Sequence, residues 1–150
     1  MTNRENRLSD RRIAREEALN FLYELEVTGD ALETLLVAKP LPPRDYALEL
    51  VQGVTSCTAE LDHVIGTHLR DWTVGRLALL DRLLARLATW ELLKRDEVPT
   101  GVVLSEVVEL ATQYCGAESP RFLNGLLRAV AIEIRGAEIR GAEIRGTENG

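Results

Sequence analysis

Residues 76–95 hold the densest run of leucines in the chain, and their spacing constrains the fold more than any other feature. Leu77, Leu79, Leu80, Leu83, Leu84, Leu87 and Trp90 spread over well over half the circumference of a helix. A helix on a protein surface buries a stripe of only about 100°. The run therefore predicts a central helix, covered on several sides. Glu91 falls inside the same apolar sector. A buried carboxylate needs a cation or a hydrogen-bond donor beside it, so a partner is expected from another helix. No second perturbed acid or base accompanies Glu91 in the pattern, which argues against a catalytic role.

The rest of the chain follows the same period, and no stretch alternates at period two, so the fold class is all-α. A first helix is predicted from Ser9 to Val27, ended by Gly29, with Ala14, Ala18, Phe21, Leu22 and Leu25 on its core face. Arg12, Arg15, Leu19 and Tyr23 lie on the flank beside that face. A short helix over 30–38 precedes Lys39-Pro40-Leu41-Pro42-Pro43, a connector that cannot be helix interior. One long helix is expected over 44–69, kinked near Gly53 and Thr55-Ser56, with Trp72 in the link that follows. Pro99 opens a helix with Val103, Leu104, Val107, Leu110, Ala111 and Tyr114 inward, and Gly116 stops it. Ser119-Pro120 starts the last helix, with Phe122, Leu123, Leu126, Leu127, Val130 and Ile134 as its core face. Gly125 costs about 1 kcal/mol in mid-helix against alanine, which predicts close approach of another backbone there. The repeat that begins Ile134-Arg-Gly-Ala-Glu has a five-residue period, so its isoleucines never share a helix face. Residues 135–150 are accordingly expected to form a disordered, low-complexity tail.

Several function classes are excluded. No apolar run is long enough to span a membrane, and the charged N-terminus carries no secretory signal, so the chain is expected in the cytoplasm. Cys57 and Cys115 fit no metal or redox spacing and read as small buried hydrophobes. His63 and His68 are five residues apart, not the four that puts two ligands on one helix face. No metal or cofactor is expected. No arrangement of nucleophile, base and orienting group is visible, nor a phosphate-cradling glycine loop, so the chain does not read as an enzyme.

Charge points instead to a polyanion. The net charge is −6, but Arg4, Arg7, Arg11, Arg12 and Arg15 stand against only Glu5 and Asp10 in the first 15 residues. That is a local side-chain charge of +3, which leaves −9 on the remaining 135 residues. A basic arm on an acidic body suits a nucleic-acid partner. Arginine, which outnumbers lysine heavily here, matches phosphate with a planar fork of donors. Tyr23, outside the core arc, offers a stacking surface for an unpaired base.

The segment from Arg11 to Tyr23, Arg-Arg-Ile-Ala-Arg-Glu-Glu-Ala-Leu-Asn-Phe-Leu-Tyr, resembles the opening helix of the NusB antitermination factors. Further matches follow in family order: Leu50-Val-Gln-Gly-Val54, Glu60-Leu-Asp62, Asp81 and Arg86 leading into Trp90-Glu91-Leu92, and Val98-Pro99. Then come Leu104-Ser105-Glu106-Val-Val-Glu109-Leu-Ala111 and Ser119-Pro-Arg121-Phe122-Leu-Asn124-Gly125. The resemblance covers roughly 8–132. It implies two small helical bundles packed together within a single domain (1–134), with lobes at about 9–70 and 73–134. It also implies binding of single-stranded, boxA-type nascent RNA together with a small-subunit ribosomal protein, and through that complex an indirect association with RNA polymerase. By the same resemblance, Arg11, Arg12, Arg15, Tyr23, Asp81, Arg121 and Phe122 fall where the family contacts RNA. The loop Gly116–Ser119 is about one residue shorter than in some relatives, and the terminal repeat has no recognised family counterpart. A NusB-like domain of an RNA methyltransferase and a helical protein–protein adaptor without RNA binding are the alternatives, and a homodimer is left open.

Overall fold

The computed structural model describes the backbone of residues 3–148 and the side chains of residues 9–136. Arg4, Arg7 and the side chains of the repeat beyond Gly136, on which the sequence carries expectations, lie outside the described side chains. Seven α-helices follow in order among the described residues: α1 (Asn3–Thr28), α2 (Leu32–Ala38), α3 (Asp45–Ser56), α4 (Thr58–Gly66), α5 (Leu79–Lys94), α6 (Thr100–Tyr114) and α7 (Ser119–Glu148). A single 3₁₀ turn, Val74–Arg76, precedes α5. None of the described helices is long and apolar enough to cross a membrane.

α5 is the central element, and every residue from Leu83 to Leu92 is buried. It packs against α1 and α3 on one side and against α6 and α7 on another, with α4 alongside. One continuous apolar core results, running from Ala14 and Leu22 of α1 through Leu50 and Val54 of α3 to Val107 of α6 and Leu127 of α7. Leu19, placed by periodicity on the flank of α1, is also fully buried.

Local chemistry explains the helix ends. Gly29 terminates α1 at φ +73°, a left-handed conformation that glycine adopts without strain; its N–H donates to the Leu25 carbonyl. The single helix expected over 44–69 is instead two, broken at Cys57. The physical reason lies in the hydroxyls around the break. Thr55, Ser56 and Thr58 donate to the carbonyls of Val51, Gly53 and Val54, competing with the backbone ladder where it stops.

The two mid-helix glycines exchange roles. Gly125 faces open space, so no backbone approaches it. Gly53 is the close contact: a Cβ there would fall inside the Trp90 indole. Arg135, which the sequence assigns to the tail, belongs to the core. α7 is interrupted at this residue (φ −118°, ψ 26°), and the buried guanidinium donates to the carbonyls of Glu91, Leu92, Arg95 and Val98 and to Thr100 Oγ1. It satisfies carbonyls that the end of α5 leaves without helical partners, and its charge suits the negative end of that helix.

Candidate nucleic-acid interface

The interface rests on a buried polar lock. Arg15 of α1 donates from Nε to Glu91 Oε1 at 2.7 Å and from Nη2 to Oε2 at 2.9 Å. Tyr46 of α3 donates its hydroxyl to the same Oε2 at 2.8 Å. The partner that Glu91 requires is therefore Arg15, and three helices meet at one carboxylate. Burial, then the charge and hydrogen bond of Glu91, hold the Tyr46 phenol well above its ordinary pKa, so it remains a donor. Burial opposes the Arg15 charge, but the hydrogen bond and charge of Glu91 outweigh it and raise its pKa. Arg15 is only 4% exposed. The expectation that it meets phosphate is corrected: its donor fork is spent on Glu91, inside the core.

A second lock holds the other end of α1. Arg86 donates to both Asp62 oxygens, at 2.7 and 2.8 Å, and reaches Glu26 at 3.4 Å. It joins α5 to α4 and α1. Together the two locks fix the rotation of α1, and hence which side chains it presents.

At 100° per residue, Arg12, Glu16 and Tyr23 fall within about 40° of one another on α1. Arg12 is exposed and donates to both oxygens of Glu106 on α6. Glu16 accepts from the hydroxyl of Tyr114, the last residue of α6. That hydrogen bond, more than burial, raises the Tyr114 pKa. Tyr23 is 44% exposed and lines a groove of about 640 Å³ walled by Pro40, Leu41 and Pro42. Lys39 to Glu24 and Arg44 to Glu17 pin that wall to α1. Arg11 is half-buried, its guanidinium 4.5 Å from the centre of the Tyr46 ring.

A second groove, of about 580 Å³, lies by the α6–α7 loop that follows Tyr114 and Cys115 in the chain. The 3₁₀ turn, the start of α5 and the α6–α7 loop enclose it, with Trp72, Arg76, Asp81, Glu118 and Phe122 among its walls. Asp81 sits in the first turn of α5. Burial pushes the nearby Cys115 thiol up to about 12, and the Asp81 carboxylate adds to the shift. Phe122, expected in the core of α7, is 39% exposed and lines the groove; Arg121 is exposed beside it. The sequence-predicted residues thus fall into two groups, Arg11, Arg12 and Tyr23 on α1 and Asp81, Arg121 and Phe122 around the groove, with α6 bridging them. Tyr114 and Trp72 were missed as surface aromatics. Tyr114 is the last residue of α6, where the apolar period no longer guarantees burial, and Trp72 lies between helices, where no period applies.

Both cysteines are free and half-buried. No group of three His, Cys, Asp or Glu side chains suited to a metal ion occurs among the described residues.

The model of the NusB family matches residues 12–132. The transcription antitermination protein NusB of Kineococcus radiotolerans is 38% identical over 128 residues, covering 83% of this chain and 94% of that protein. Among solved structures, NusB of T. maritima superposes with a TM-score of 0.74 at 29% identity, over 82% of this chain and 91% of that one. A crystal structure of antitermination factors NusB and NusE in complex with double-stranded RNA gives a TM-score of 0.71 at 27% identity, over 82% of this chain and 96% of that one. With the family model matched over 12–132 and a relative 38% identical over most of both chains, the chain belongs to the NusB family.

Proposed function

We propose that this chain is a transcription antitermination factor that binds boxA-type single-stranded nascent RNA together with a small-subunit ribosomal protein. The observation that carries the reading is a surface on which exposed Arg12 and Tyr23 share one side of α1, α6 is tied to that side through Glu106 and Tyr114, and Asp81, Arg121 and Phe122 stand at the groove by the α6–α7 loop. It presents aromatic rings and guanidinium groups on a frame locked from beneath, the combination that single-stranded RNA requires. The body carries a charge of −9 outside the first 15 residues, so attraction to phosphate is local and comes from the arginines at the start of α1 and from Arg121. The ribosomal protein, by its RNA-binding nature basic, complements the acidic body. Contact with RNA polymerase is indirect, through that complex in the cytoplasm. No catalytic step is assigned, because the polar groups of the face pair with one another and do not form a nucleophile and its base.

The reading is tested by fluorescence anisotropy with a labelled boxA-type 12-mer and a scrambled 12-mer, each with and without the purified ribosomal protein. The expected result is preference for the boxA-type RNA, strengthened by the partner. Equal, weak binding of both RNAs in both conditions overturns it.

A further inference from the structure

Arg12 is an exposed arginine on which the RNA reading relies, yet its donors are engaged. Its Nε donates to both oxygens of Glu106, at 3.2 and 3.1 Å, and its Nη2 donates to Oε1 at 2.9 Å. The Arg12 side chain is 66% exposed, whereas that of Glu106 is 13% exposed. The carboxylate therefore sits within the seam between α1 and α6, and the guanidinium covers it from the solvent side. Hydrogen bonding to Glu106, and then its charge, raise the Arg12 pKa, and Glu109 one turn further along α6 adds to the shift. On the α1 side of the seam, Glu16 accepts from the Tyr114 hydroxyl. The seam sets one cation, Arg12, against the carboxylates of Glu16, Glu106 and Glu109, a side-chain charge of −2. Arg15, the next arginine of α1, is held inside the core by Glu91. As it stands, the seam repels phosphate.

We propose that Glu106 is a built-in competitor for RNA: it occupies the Arg12 fork in the free chain, and a phosphate takes that fork only by displacing it. The inference rests on the RNA reading above and extends it from residues that attract RNA to one that holds affinity down. Carboxylate and phosphate compete for the same donors, because each offers a pair of oxygens matched to the planar guanidinium. A phosphate at the remaining edge of the fork would still meet the charges of Glu106 and Glu109. The exchange also carries a cost, since Glu106 is shielded and loses its charged donors when Arg12 leaves. The strand must offset that cost through its other contacts. Phosphate contacts carry no sequence information of their own, so restraining one of them lowers retention of RNA that engages the chain through its backbone alone.

The test compares the full chain with Glu106→Gln, which keeps the shape and one acceptor oxygen and removes the charge, by anisotropy with the boxA-type and scrambled 12-mers. Glu106→Gln is expected to bind RNA about 2- to 5-fold more tightly, the equivalent of one ion pair with an exposed partner. In an Arg12→Ala background the same substitution should give no gain, because the contested group is gone. Glu60→Gln, the same charge change on an exposed residue of α4, should bind as wild type does. The side-chain Nε resonance of Arg12 in ¹⁵N NMR should move as RNA is added to wild type, reporting the change of partner. Circular dichroism melts check the fold, which an ion pair with so exposed a cation hardly affects. Weaker RNA binding by Glu106→Gln would make Glu106 a support for Arg12 and overturns the inference. An equal gain in the Arg12→Ala background, or with Glu60→Gln, would reduce the effect to net charge and also overturns it. Unchanged affinity of Glu106→Gln, with Tyr23→Ala still impaired, overturns the inference while leaving the RNA reading intact. No RNA binding by wild type or by Glu106→Gln overturns both.

Discussion

Replacing Arg15 by methionine separates a structural role for this arginine from a role in binding RNA. In the folded chain its side chain is 5% exposed and that of Glu91 is 1% exposed, so removing the cation leaves a carboxylate in the core with only the Tyr46 hydroxyl as donor. Breaking a buried pair in this way costs about 3–5 kcal/mol, because the remaining charge has neither water nor a counter-ion. For a chain of this length each kcal/mol lowers Tm by about 2–4 °C, so the variant should melt about 6–20 °C below wild type. Replacing Glu91 by methionine as well removes the lone charge and should recover most of the loss. Urea unfolding of wild type, Arg15→Met, Glu91→Met and the double variant, with the slope unchanged and only the midpoint moving, measures the pairwise term. If Arg15→Met unfolds within 1 kcal/mol of wild type, the lock is not formed and Arg15 returns to the list of phosphate contacts.

Gly53→Ala should cost about 1–3 kcal/mol, because its methyl group would overlap the Trp90 indole; urea denaturation checks this, and wild-type stability would show that the two helices separate easily. Arg135→Ala should cost about 2 kcal/mol or more by leaving the carbonyls of Leu92 and Val98 without their charged donor. Added guanidinium at low millimolar concentration should restore part of that loss in a thermal melt, whereas a tail without structural role would give an unchanged midpoint. Tyr23→Ala should weaken RNA binding by about 1–3 kcal/mol in anisotropy titrations while leaving Tm unchanged; affinity equal to wild type would make Tyr23 a wall of the Pro40–Pro42 groove and nothing more.

The central helix was legible because seven large apolar residues around one helix leave it no solvent face, and the need of Glu91 for a partner followed from that same sector. Which partner answers it was not legible. Arg15 lies on the flank of α1 by helical arithmetic, and one-dimensional spacing does not say whether a flank meets solvent or another helix. A run of arginines reads as a basic surface until the packing of α1 on α3 and α5 turns one of them inward. Gly53 and Gly125 pose the same problem, since both interrupt good helices and only the position of Trp90 distinguishes them. Arg135 is the hardest case. It shares its local sequence with Arg140 and Arg145, and only the proximity of five acceptors from 91–100 makes it a structural residue. The break at Cys57 was half legible, as hydroxyls dense enough to kink a helix proved dense enough to end it. The groove was visible only through Asp81 and Phe122 by resemblance, because its third main wall, Trp72, is brought to them by the tertiary fold.

The most direct test of the RNA-binding face is a map of backbone amide shifts, by ¹H–¹⁵N NMR, as the boxA-type 12-mer is titrated into the full chain. The account predicts that the amides of Arg12, Tyr23, Tyr114, Trp72, Arg121 and Phe122 shift together with one affinity. Those around Ala59 and Glu60, exposed on α4, should stay in place. Shifts concentrated around Ala59 and Glu60, with the amides of α1 and the groove unmoved, would contradict it.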